Sequence, residues 1–370
     1  MWQVRSTAGD GYTLPPRKNN TNNVPMPLYR RLLPALALGL LVLATPAVAV
    51  ETLRVLAWPG YADRDLVRGF ERRHNVRVEV TLVSTDEALW QRLNTNAGGD
   101  YDVFAANTAE IKRYIDRGIS APLDLRNIPN VRNQLPRFRR LEAIPGIFRN
   151  DRVYAIPYTY SEMGLIYNRQ VMKEPPTSLA ALWDPRYKGR VLAYDGGTHN
   201  FTLAAMQAGS RNPFWLGEED YRRGVARLID LRRNVLTFYS QPEEVVELFR
   251  KHPVALVFAN YGAQQVKQLR AAGEDIGYVI PREGALAWLD CWSVTQRARN
   301  KRLAEAWINY TLEGPVSLAL TERQGLANTI HAGPSEEPSS KLIWLEPVED
   351  APRRSALWGR IVSGDRPEKF

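Results

Sequence analysis

Four histidines and one cysteine are the residues from which catalysis or metal chemistry would most readily be built, and their placement supports neither. His74, His199, His252 and His331 are scattered along the chain, with no interval that would bring two imidazoles to one metal ion. His74 and His252 sit among polar neighbours and read as surface residues. His199 follows Gly196-Gly197-Thr198 on a loop and stays open as a ligand contact. A lone thiol, Cys291, excludes an intramolecular disulfide framework and a cysteine-rich zinc site, and its apolar neighbours make it a small buried hydrophobe rather than a nucleophile. There is no Gly-x-Ser-x-Gly elbow, no His-Glu-x-x-His pair, no phosphate loop and no Gly-x-Gly-x-x-Gly fingerprint. The residues point to binding without bond-making, with no catalytic residue, no metal and no cofactor implied.

The elements that carry these residues alternate. Leu53 to Ala57 is a short apolar strand followed by a Trp58-Pro59-Gly60 turn. Leu66, Val67 and Phe70 recur at helical spacing up to Asn75, and Val76, Val78, Val80 and Leu82 alternate as a strand. Ala88 to Leu93 is a helix and Tyr101 to Ala105 a third strand. Thr108 caps a helix that ends at Gly118. A second series runs from about 159 to 284, with strands at 189–193, 254–258 and 276–280 and helices at 201–209, 221–231 and 262–272. A helix follows at 304–312, then a Pro/Ser/Glu-rich stretch and a terminal helix. This order predicts mostly parallel sheets covered by helices.

The chain has 370 residues, enough for two or three domains or two lobes, and 44% hydrophobic with 24% charged residues excludes a disordered or polytopic membrane chain. The net charge of +9 does not mark a nucleic-acid binder, because basic residues alternate with acids, as in Asp63-Arg64-Asp65. Part of the excess lies before residue 50, where Arg30-Arg31 precede an apolar run from Leu32 to Ala44 and then Ala47-Val48-Ala49. Positive flank, apolar run and small-x-small site in that order predict an export signal cleaved near Ala49. Met26 is the better start. With no cysteine near the cleavage site for a lipid anchor, the expected product is soluble and periplasmic.

Several short sequences occur together: Leu-Ala-Trp-Pro-Gly-Tyr at 56–61, Gly-Asp-Tyr-Asp-Val at 99–103, Ala-Ile-Pro-Tyr at 155–158, Leu-Trp-Asp-Pro-Arg-Tyr-Lys-Gly at 182–189, and Glu283-Gly284 ahead of Trp288-Leu289-Asp290. In this order the chain, over 51–370, resembles the periplasmic spermidine/putrescine-binding proteins, the solute-capturing component of ATP-binding-cassette (ABC) importers. The resemblance implies a two-lobed α/β periplasmic binding protein of type II kind, with hinge strands and an interlobe ligand cleft. Lobe 1 would be 50–157 plus 285–325, and lobe 2 would be 158–284 plus 326–370. The implied partners are a small amine and an ABC permease, with no nucleic acid, and the protein would act as a monomer.

The same resemblance assigns roles. Trp58 and Tyr61 match an aromatic pair after the first strand, Trp288 and Asp290 an aromatic-plus-acid element, and Phe258 an aromatic at a strand end. At 107–109, Asn107-Thr108-Ala109 keeps polar groups, Asn107 among the ligand contacts, but loses an expected tyrosine. Aromatic faces would hold methylenes and ammonium ends, and a buried ammonium needs a carboxylate, a role that falls to Asp290. The acids expected after the 189–193 strand fall on Gly196 and His199, with Asp195 one residue away. Glu162 adds an acid on a crossing segment, as a replacement carboxylate or a lobe-to-lobe salt bridge. An altered distal end would also suit an amino acid derivative or an opine. A phosphonate or ferric-ion binder, or a periplasmic sensor or enzyme on the same fold, are the rival readings.

Overall fold

The computed structural model describes residues 50–331, 341–366 and 369–370. The export signal, its cleavage site near Ala49 and the Pro/Ser/Glu-rich stretch over 333–340 lie outside the described residues. Val50–Phe370 forms one compact unit.

The first half is strand–helix alternation. β1 (Thr52–Ala57) leads to α1 (Arg64–His74), which buries Val67 and Phe70 on one face and stops where Asn75 turns left-handed at φ 52°. β2 (Arg77–Leu82), α2 (Asp86–Asn94), β3 (Val103–Asn107) and α3 (Thr108–Asp116) follow. The cap of α3 is Asn107 rather than Thr108. The Asn107 side-chain oxygen accepts from the Glu110 amide at 3.1 Å, while the Thr108 hydroxyl donates to the Leu345 carbonyl at 3.1 Å. Then come β4 (Ser120–Ala121), the single turn α4 (Pro136–Arg139) and a hairpin of β5 (Phe148–Arg149) and β6 (Arg152–Val153).

The chain next runs through β7 (Ala155–Met163), β8 (Leu165–Asn168), β9 (Val191–Tyr194), α5 (Gly197–Gln207), α6 (Glu218–Asn234), β10 (Val235–Tyr239), α7 (Pro242–Lys251), β11 (Leu256–Phe258), α8 (Ala263–Ala271) and β12 (Ile276–Val279). It closes with β13 (Ala285–Thr295), α9 (Lys301–Thr311), α10 (Gly314–Gln324), β14 (Ala327–Asn328), β15 (Leu342–Trp344) and α11 (Ala351–Val362).

These strands build two larger sheets. One has eight strands in the order β14-β7-β13-β3-β1-β2, with β4 and β15 also paired to β13. The other has five in the order β10-β9-β11-β8-β12. β1, β2 and β3 are parallel, as are β9, β10 and β11, while β13 and β8 enter their sheets antiparallel. All eleven residues of β13 are buried, as a strand flanked on both sides requires.

The two layers of the fold are joined by crossing segments. β7 of the large sheet passes to β8 of the small one through Gly164 alone. A Cβ there would come within 2.6 Å of the Tyr278 ring, whose hydroxyl accepts from the Gly164 amide at 3.1 Å. Residues 280–284 carry the chain back from β12 to β13. The tail is shared: β14 and β15 join the large sheet, whereas α11 packs on α5 and α6 of the other layer. That packing is tied by Arg354, fully buried, which donates to the Thr202 hydroxyl at 2.8 Å and to Glu349 at 2.7 Å. Among the described residues no helix is long and apolar enough to cross a membrane.

Candidate functional site

Loops at the carboxyl ends of parallel strands open where strand order reverses, and ligand sites collect there. The loop after β1 carries Trp58 to Tyr61, β3 ends at Asn107, β9 at Tyr194, and β11 runs into Asn260 and Tyr261. Together with the middle of β13 they line a cleft between the sheets, open to solvent, of the concave kind in which small-molecule sites form. Trp58, Tyr61, Asn107, His199, Trp288 and Asp290 all stand on its wall.

Asp290 is the centre of that wall. It is 7% exposed, and the Tyr61 hydroxyl donates to its Oδ2 at 2.6 Å. Burial pushes the carboxyl up to about 7 against the opposing pull of the tyrosine bond. Tyr61 is held by edge contacts to Tyr158 at 5.4 Å and Trp292 at 6.3 Å. Its own phenol is driven well above the usual tyrosine range by burial and by the Asp290 charge, so it stays a donor.

Both indoles are anchored through their only donor. The Trp58 Nε1 donates to the Ala105 carbonyl at 3.1 Å, and the Trp288 Nε1 to the Asn260 carbonyl at 2.9 Å. With their N–H groups taken, they offer the cleft carbon surface and π-density, which suits alkyl chains and cations. The Trp288 bond also links the two sheets. At the rims, Gln241 Nε2 donates to the Ser84 carbonyl at 3.1 Å and Gln264 Nε2 to Gln324 Oε1 at 3.3 Å, so the halves of the cleft are in contact.

Three residues named from the sequence stand elsewhere. Phe258 does sit at the end of β11, but its side chain is wholly buried in the core and its carbonyl accepts from the Tyr239 hydroxyl at 2.7 Å. The strand's alternation turns it inward, and Asn260 and Tyr261 reach the cleft instead. Asp195 is outside the lining, and its Oδ1 accepts from the Trp358 Nε1 on α11 at 2.7 Å. Glu162 is outside it too, on β7, where its carbonyl accepts from the Tyr278 hydroxyl at 3.0 Å. His199 does line the cleft, 5.5 Å from the Tyr194 ring. Burial and the Arg354 charge pull it down to about 4, so it is a neutral imidazole at physiological pH.

Other lining residues carried no sequence signal of a site. Tyr194 and Tyr261 meet edge to face at 6.0 Å, and the Tyr261 hydroxyl donates to the Ser240 carbonyl at 2.7 Å. Asp86 opens α2 just after its cap Thr85, whose hydroxyl accepts from the Ala88 amide at 3.1 Å. Asp86 Oδ1 accepts from Asn107 Nδ2 at 3.4 Å. Its carboxyl is driven well above the ordinary range by burial first, then by Glu110, Glu87 and Asp290. The lining contains three carboxylates, Asp86, Glu243 and Asp290, and neither lysine nor arginine. Such a wall attracts cations and repels anions. Among the described residues no group of three His, Cys, Asp or Glu could hold a metal ion.

Residues 65–340 match the family model described as bacterial extracellular solute-binding protein. The chain belongs to that family. Among curated relatives of this solute-binding protein, the spermidine/putrescine-binding periplasmic protein of Salmonella typhimurium is 26% identical over 339 residues, covering 87% of this chain and 94% of the relative. Its counterpart in Escherichia coli is 28% identical over 298 residues, covering 80% and 82%. Among solved structures, a lipoprotein of Treponema pallidum superposes with a TM-score of 0.73 at 20% identity, covering 84% of this chain and 99% of that one. The fold is thus that of the two-lobed periplasmic binding proteins, with the cleft between lobes.

Proposed function

We propose that this solute-binding protein captures a polyamine of the spermidine/putrescine kind in the periplasm and delivers it to an ABC permease in the inner membrane. It does no chemistry on its ligand and works as a monomer. Cleavage of the export signal near Ala49 would release it. Its lobes would be those the sequence suggested, 50–157 plus 285–325 and 158–284, except that β7 keeps 158–163 with the first lobe and the tail is divided between them as β14, β15 and α11 are divided.

The observation that carries this reading is Asp290. A carboxylate buried behind a tyrosine donor, in a cleft walled by two indoles and without a lysine or arginine, is costly unless a cation meets it. Each cation–π contact contributes about 0.5–2 kcal/mol, and micromolar binding needs about 8 kcal/mol. Trp58, Trp288 and one tyrosine supply a large share, and the ammonium–carboxylate bond adds about 1.5–3 kcal/mol. The relatives of Salmonella typhimurium and Escherichia coli, both spermidine/putrescine-binding proteins, point the same way.

Isothermal titration with putrescine and spermidine tests the reading. Both should bind, phosphonates and ferric salts should not, and Asp290→Asn should weaken the amines by about 100-fold or more. Equal binding to wild type and variant would sink the assignment.

A further inference from the structure

A polyamine carries at least two ammonium groups, and Asp290 accounts for one. The carboxylates expected on the second lobe after the 189–193 strand are not there to take the other. Asp195 is bound to Trp358, Gly196 has no side chain and His199 is neutral. Glu243, the second-lobe acid at the cleft, is exposed at the rim and accepts from Gln268 Nε2 at 2.9 Å.

We propose that Asp86, on the first lobe, is the carboxylate that holds the second ammonium, so that both anionic poles of the site belong to the same lobe. This rests on the amine reading of the cleft. The geometry is a relay across β3. Asp290 and Asn107 are direct cross-strand partners, a register that puts Cβ atoms about 5 Å apart, and Asn107 Nδ2 then reaches Asp86 Oδ1 at 3.4 Å. The two carboxylates therefore flank one amide along a single wall. That spacing suits a short alkyl diamine laid over Asn107, its methylenes against the indole of Trp58.

A second observation points to a cationic guest at the same place. Asn260 is 5% exposed and lines the cleft opposite, and its Oδ1 meets no hydrogen-bond donor of the protein. A buried acceptor on the lining of a cleft that also carries two carboxylates is matched by an N–H donor bearing positive charge. The surroundings reinforce the pole. The cleft continues past Asp86 into a recess that contains Glu87, Glu110 and Glu346 against the single cation Arg113. The Arg113 guanidinium lies 3.3 Å from the centre of the Trp90 ring and 3.5 Å from Glu110, and its charge offsets only part of what the surrounding acids do to Asp86. A ligand with one ammonium and a distal carboxylate would place like charges together there, which selects against amino acid derivatives and opines.

The test is isothermal titration of the full chain with three probes of similar length: putrescine, butylamine and 4-aminobutyrate. Wild type should bind putrescine about 10–100-fold more tightly than butylamine, the range of one charge-assisted hydrogen bond, and 4-aminobutyrate more weakly still. Asp86→Asn should remove that advantage and leave butylamine within about twofold, the change one unaltered contact allows. Asp290→Asn should weaken both amines. Asp86→Glu, which keeps the charge, should retain part of the preference for putrescine, and unaltered thermal unfolding of ligand-free Asp86→Asn separates lost contact from lost fold. The inference is overturned if Asp86→Asn binds putrescine as wild type does, if it loses butylamine equally, or if 4-aminobutyrate binds wild type best. Amines that bind wild type, fail on Asp290→Asn and ignore Asp86→Asn would overturn the Asp86 role and leave the amine reading standing. Wild type that binds no amine would overturn both.

Discussion

The two walls of the cleft are made of different material. The first-lobe wall presents Asp86, Asn107 and Asp290, fixed to one another through β3 and β13, with Trp58 and Tyr61 beside them. The second-lobe wall presents Tyr194, Asn260 and Tyr261, its one acid confined to the rim. Charge sits on one side, and neutral aromatic and amide surface on the other. An incoming cation is therefore drawn past Glu243 at the rim toward the first-lobe acids within. Closure then removes water by adding apolar area, without having to bring a second set of charges into register.

The contrast between wall and core gives the largest expected effect. Phe258→Ala should destabilise the protein by about 3–5 kcal/mol, as for other large core truncations, and leave the order of ligand preferences unchanged. Chemical denaturation and competition binding read the two outcomes.

Asp290→Asn should do the reverse to stability. The folded protein keeps the Asp290 proton up to about 7, whereas the unfolded chain releases it near 3.8. Between those values the folded state binds more protons, so stability falls as pH rises, and above pH 7 the whole penalty is present. Asparagine can still accept from Tyr61 and carries no penalty. The ligand-free variant should therefore gain about 2–4 kcal/mol at pH 8 and unfold several degrees higher, while losing the amine. A variant no more stable than wild type would show that the buried charge is already compensated within the protein.

The same group sets a pH dependence of binding. A cation favours the ionised carboxyl, so amine affinity should hold above about pH 7 and fall by up to about tenfold per unit below it. Titrations at pH 8, 7 and 6 measure this, and Asp290→Asn should remove its share of the profile and leave that of Asp86, whose carboxyl is also raised. The smallest effect belongs to the rim. Gln241→Ala removes the bond to the Ser84 carbonyl and should weaken binding by about 0.5–1.5 kcal/mol, seen as faster release rather than slower capture.

Much of the fold was legible. Leu53 to Ala57, the alternation from Val76 to Leu82 and the helical repeat to Asn75 all appear where periodicity put them. Missed elements had readable signals. α7 begins Gln241-Pro242-Glu243-Glu244, a proline first turn with acids, and buries Val245 and Phe249 four residues apart. The site was less legible for a different reason. Trp58, Tyr61, Trp288 and Asp290 belong to short motifs, but Asp86 becomes a site residue only because β3 sets Asn107 between it and Asp290. Phe258 shows the limit of position without parity: one step along a strand exchanges cleft for core.

The joint at Gly164 is one residue long. A link so brief lets the lobes swing but allows little sliding, so the gap they close to has nearly a single width. A cleft of this make measures its guest with a fixed caliper, across the thickness that putrescine and spermidine share rather than along their length.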